Sequence, residues 1–157
     1  MKYLAGLLLV ALISCSAVGL EQEEKPAAFD FVFSYGVANK NVLDTLQGTY
    51  TKDLVKKGTS TTELSLTENE KNQVHTLMKE IGLFGYPNEV EGMNIKPSSG
   101  YTFQIFLNGK EQNIHWKGEF NETKTHREFK RLTDTIIEII RNNEAYQAMP
   151  KSDGYYE

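Results

Sequence analysis

Asn108-Gly109 is the feature that most constrains this chain. Both central positions of a two-residue type I′ hairpin require positive φ, which Asn and Gly tolerate, so the pair marks a tight reversal between 101–107 and 110–117. A two-residue turn sets Leu107 against Lys110. That register puts Phe103 opposite Ile114 and Tyr101 opposite Trp116, uniting apolar residues on one face. The other face then carries Thr102 beside His115 and Gln104 beside Asn113, a neutral strip that forms a candidate binding surface.

The rest of the pattern builds on this hairpin. Phe29-Asp-Phe-Val-Phe-Ser-Tyr35 alternates large rings with smaller residues, the period-two signal of a strand. Gly36 and Asn39-Lys40-Asn41 punctuate it, and weaker β segments follow at 42–46, 49–54 and 61–66, with a turn at Lys56-Lys57-Gly58. Their threonine content suits an antiparallel sheet with one wet face. Thr67-Glu-Asn-Glu70 is a capping box, and Val74, Leu77, Met78 and Ile81 follow at helical spacing up to Gly82. Residues 87–100 read as a long loop holding Met93 and Ile95. Phe129, Leu132, Ile136, Ile139 and Ile140 mark a second helix over roughly 124–144. Each helix has one apolar stripe and the strands have one face of large residues. The expected fold is α+β, an antiparallel sheet with two helices packed on one face.

The N-terminus carries an address. Lys2 precedes an apolar run from Leu4 to Ile13, followed by small residues, the layout of a signal peptide. Ten residues make a helix about 15 Å long, half of a ~30 Å hydrocarbon core. Extension to Leu20 gives 17 residues, the lower limit for a span, and acids rather than a basic stop-transfer cluster follow. Cleavage after Ser16 or Gly19 by ordinary signal peptidase would discard Cys15, the only cysteine of the chain.

Leu12-Ile13-Ser14-Cys15 resembles the lipobox of bacterial lipoprotein precursors. The resemblance implies cleavage before Cys15, a thioether-linked diacylglycerol on its sulfur and acylation of the new amino terminus. Segments such as FDFVFSYGVANKNVLDT and GTYTKDLVKKG resemble small uncharacterised lipoproteins of Gram-positive bacteria, a resemblance that carries over no functional residue. The organisation expected on this reading is a signal peptide at 1–14, a lipidated tether at 15–28, one α+β domain at 29–149 and a polar tail at 150–157. The tether reaches at most ~50 Å extended, or about 20 Å as a flexible coil.

Charge narrows the partners. From Cys15 onward, 16 cations face 21 anions with no basic stripe, which argues against nucleic acid and leaves the lipid as the only hold on an anionic leaflet. The partners expected are the membrane, through the N-terminal lipid on the extracytoplasmic face, and an envelope protein or glycan. No oligomeric state is legible.

Catalytic motifs are absent. There is no G-x-S-x-G elbow, P-loop, G-x-G-x-x-G, H-E-x-x-H or calcium loop, so no catalytic residue, metal ligand or cofactor is assigned. An acylated Cys15 would also leave no thiol nucleophile. His75, His115 and His126 read as hydrogen-bonded surface residues, and the carboxylates as solvated ones. Asn121-Glu-Thr123 is a glycosylation sequon in form, but a lipobox protein would not normally meet that machinery. The expected function is a non-enzymatic binding module of the cell envelope. Its alternatives are an inhibitor presenting the 87–100 loop and a hydrolase built on carboxylates or His115.

Overall fold

The computed structural model describes residues 28–94 and 99–156. Seven strands form one sheet: β1 (Phe29–Val37), β2 (Asn41–Asp44), β3 (Thr49–Asp53), β4 (Thr59–Glu63), β5 (Glu89–Glu91), β6 (Ser99–Leu107) and β7 (Lys110–Lys117). Their order across the sheet is β4-β3-β2-β1-β6-β7-β5. Every neighbouring pair is antiparallel except β5 and β7. Helices α1 (Glu68–Glu80) and α2 (Lys124–Asn142) follow β4 and β7, and a short α3 (Glu144–Gln147) closes the helical layer.

The hairpin has the register that its turn dictates. Leu107 pairs with Lys110, Phe103 with Ile114 and Tyr101 with Trp116. Asn108 and Gly109 have φ of 49° and 77°, both left-handed as a type I′ turn needs. β1 lies beside β6 with Phe29 against Leu107 and Val37 against Ser99. This brings the Phe31, Phe33 and Phe103 rings onto the face of Ile105, Ile114 and Trp116, all buried.

Both helices cover that face. Thr67 and Glu70 form the reciprocal capping box of α1, which buries Val74, Leu77 and Met78. Helix α2 buries Phe129, Leu132, Ile136 and Ile140. The Trp116 ring stacks on Phe129 at 4.3 Å between centroids. The architecture is therefore α+β, with the helices on one side of a mostly antiparallel sheet.

Four features depart from the sequence reading. The 87–100 stretch is not a continuous loop: Glu89-Val90-Glu91 pairs in parallel with His115–Lys117, and β6 begins at Ser99. A three-residue strand with one inward apolar residue has no local periodicity, and its pairing is set by a distant strand. Second, His126 is buried rather than on the surface. Its Nδ1 accepts the Asn121 amide at 2.9 Å, and its ring stands edge-on to Trp116. Third, the single helix expected over 124–144 stops at Asn142. Asn143 turns extended and caps α3, accepting the Ala145 amide at 2.9 Å.

Fourth, the polar tail docks. Ser152 donates to the Asp53 carbonyl at 2.7 Å, Asp153 bridges Val55, and the Tyr156 hydroxyl donates to Asp53 Oδ2 at 2.6 Å. Asp53 is only 6% exposed, so Tyr156 satisfies a carboxylate that water scarcely reaches. Val55 has φ of 61°, an unfavourable conformation for a β-branched residue, at the point where the tail lies across it.

Candidate functional site

The polar strip occupies the sheet face opposite the helices, and the structure divides it into two clusters. Thr102 faces His115 and Gln104 faces Asn113, as the turn requires. At one end Thr102 Oγ1 lies 3.3 Å from His115 Nδ1 and accepts the Asn39 side-chain amide at 3.0 Å. At the other, Gln104 and Asn113 both donate to Glu111 Oε1, at 2.8 and 3.0 Å. These two donors hold the Glu111 carboxyl below its ordinary range.

The first cluster borders a cleft on the open face of the sheet. A hollow of about 240 Å³ is lined by Ala38, Asn39, Glu89, Ser99, Gly100, Thr102, His115 and Lys117, together with Trp116, whose ring belongs to the core. It lies where the β1–β2 turn meets the ends of β5, β6 and β7. Gly100 is needed here, because a Cβ at that position would fall 2.9 Å from the Trp116 carbonyl. Ala38 and Asn39 both have φ of 53°. The left-handed conformation costs a residue such as Ala about 1 kcal/mol or more, and it holds the Asn39 amide over Thr102.

The walls are charged but balanced. Lys117 Nζ lies 2.6 Å from Glu89. This pairing lowers the Glu89 carboxyl below its usual value and raises the Lys117 ammonium above its own. Both side chains are more than half exposed, so the pair contributes little to stability. Ser99 donates a hydrogen bond to Glu119. The cleft thus presents hydroxyl, amide, imidazole and one neutralised ion pair, a surface suited to hydrogen-bonding a neutral or zwitterionic group.

The histidines do not converge. His75 packs its ring 4.9 Å from Phe29 and 6.0 Å from Phe84, His126 is in the core, and His115 is exposed on the open face. Among the described residues no group of three His, Cys, Asp or Glu side chains is placed to hold a metal ion. Among them, too, no helix is long and apolar enough to cross a membrane. Cys15, the expected lipidation site, and Ile95 lie outside the described residues. Asn39 and Glu111 were not singled out from the sequence. Asn39 reads there as turn punctuation, and its role depends on a contact 63 residues away. Compared with protein-family models, with curated proteins and with solved structures, the chain matches none.

Proposed function

We propose that the protein is a lipid-anchored component of the bacterial cell envelope that works without catalysis, holding an envelope protein or glycan in the cleft beside Thr102 and His115. The lipobox-like Leu12-Ile13-Ser14-Cys15 supports the anchor. With 16 cations against 21 anions from Cys15 onward, the body has no electrostatic hold of its own on an anionic leaflet.

The observation that carries the binding reading is the separation of the two ends of β1. Ala28 joins the domain at the hairpin tip, where its carbonyl accepts the Asn108 amide at 3.0 Å. The cleft sits beside Val37 and Ser99, at the other end of the same nine-residue strand. Eight steps of about 3.3 Å put it roughly 26 Å from the tether's attachment. A lipid on Cys15 leaves that end free to meet a partner beyond the leaflet. The inhibitor reading relied on a protruding 87–100 loop, and β5 fastens its first half to the sheet.

The test pairs localisation with binding. Cys15→Ala should move the protein from the membrane fraction to the soluble one. In the anchored protein, Thr102→Val with His115→Ala should abolish cross-linking to the envelope partner while lowering stability by no more than about 1 kcal/mol, the loss of the Asn39 hydrogen bond. A Cys15→Ala protein that stays in membranes, or a cross-linked product indifferent to the cleft substitutions, contradicts the proposal.

A further inference from the structure

The sheet has an edge that is only half covered. In the β6–β7 hairpin, alternate residues of β7 direct their backbone groups away from β6, and the turn fixes these as Glu111, Asn113, His115 and Lys117. The last two are satisfied by the β5 segment: His115 N donates to the Asn88 carbonyl at 2.7 Å, and the Lys117 carbonyl accepts the Gly92 amide at 2.6 Å. β5 stops there. Among the described residues no strand lies beside Glu111 and Asn113.

An apolar hollow opens at this uncovered stretch. About 320 Å³ is enclosed by Phe84, Ile105, Leu107, Lys110, Glu111 and Gln112 on the helix side of the sheet. Gln112 spans its inner wall, its amide donating toward the Phe84 and Tyr86 carbonyls at 3.4 Å each. Lys110 supplies the positive charge at the rim, whereas Glu111 is already engaged by Gln104 and Asn113. A strand laid against β7 would direct every second side chain to the face of Lys110 and Gln112, and so into this hollow.

We infer that the edge of β7 from Lys110 to Asn113 takes up an extended peptide of a partner protein as an added strand. An apolar side chain of that peptide fills the Phe84–Ile105–Leu107 hollow, and an acid two residues along, on the same face, meets Lys110. The inference rests on the reading of the protein as a binding module and specifies the partner's chemistry. A row of main-chain donors and acceptors selects another main chain rather than a sugar or an acyl chain, and the hollow selects among side chains. The edge already accepts one strand, β5, over its other half. The rim charge favours an acid two positions from the buried residue, on the same face of the strand.

The probe is a capped seven-residue peptide of threonine and valine with a central leucine and a glutamate two residues after it, on the same face. Its control carries N-methyl groups on alternate backbone nitrogens. The sample is the chain from residue 15 with Cys15→Ala, and the readout is amide hydrogen exchange. The peptide should slow exchange at Glu111 and Asn113 at least 10-fold, and the methylated control should not. Lys110→Glu should weaken the effect about 10-fold, an order set by about 1.4 kcal/mol. Asn113→Pro, which removes an outward N–H that β6 does not use, should abolish it. Should the proline variant fail to fold, Leu107→Arg at the hollow serves in its place.

Three results overturn the inference. The two amides exchange freely at saturating peptide, the methylated control protects as well as the probe, or the amides are already protected in the free chain because its own leader or a second copy occupies the edge. A mature terminus downstream of Cys15 would overturn the anchored reading instead, and the exchange result would stand apart from it.

Discussion

The hydroxyls of Tyr35 and Tyr50 meet at 2.8 Å across β2, joining two strands that share no backbone ladder. The Tyr50 hydroxyl also reaches Asn41 Oδ1 at 3.4 Å, and its ring is 1% exposed beneath the Tyr146 edge. Burial raises both phenols above their ordinary value, because an ionised phenolate would lose its hydration there.

The consequence is an alkaline limit to stability. In the unfolded chain each phenol ionises near pH 10, whereas in the folded protein ionisation is deferred to higher pH. Above pH 10 the folded state therefore binds more protons, and stability that is complete below pH 10 is lost as pH rises, by at most about 1.4 kcal/mol per pH unit for each tyrosine. Tyr101 adds to this, held up to about 12 by burial and the Glu119 charge. Urea unfolding followed from pH 8 to 12 should show the decline beginning near 10. Tyr50→Phe should cost about 1 kcal/mol at pH 8 and make the alkaline slope shallower; an unchanged slope would show that the pair does not govern the limit.

Gly118 controls the docking of β5. Its φ is 84°, and a Cβ there would fall 2.2 Å from the Met93 carbonyl oxygen, which accepts the Glu119 amide at 2.8 Å. Gly118→Ala should cost about 2 kcal/mol or more through backbone displacement. It should also raise amide exchange at Gly92 and Met93 more than in the β1–β6 ladder. Uniform acceleration across the sheet would contradict a local role.

The C-terminal tail should count as part of the fold. Tyr156→Phe removes the hydrogen bond to Asp53 Oδ2 and the one accepted from Lys40 Nζ at 2.8 Å. A loss of about 1–2 kcal/mol is expected, since a buried carboxylate is left short of a donor. Tyr155→Ala, at a side chain 79% exposed, should be neutral within about 0.5 kcal/mol. Equal effects of the two substitutions in thermal unfolding would refute the clasp.

How much of this was legible in the sequence follows from the range of the interactions involved. The Asn108-Gly109 turn and the Thr67–Glu70 box are local, so the hairpin register and the start of α1 could be written down residue by residue. Thr102 opposite His115 and Gln104 opposite Asn113 followed from the same turn. What escaped depends on partners far along the chain. β5 is defined by β7, the tail by Asp53 about 100 residues earlier, and His126 by a Trp116 ring on another element. The division of the polar strip escaped for a similar reason: Asn39 arrives from the β1–β2 turn and selects one half of it as a cleft wall.

Mass spectrometry of the mature amino terminus, on protein extracted from membranes, tests the central claim most directly. The account predicts a chain that begins at Cys15 and carries a diacylglycerol thioether with an acylated α-amine. A free, unmodified terminus at Ala17 or Leu20, on protein recovered from the soluble fraction, would contradict it.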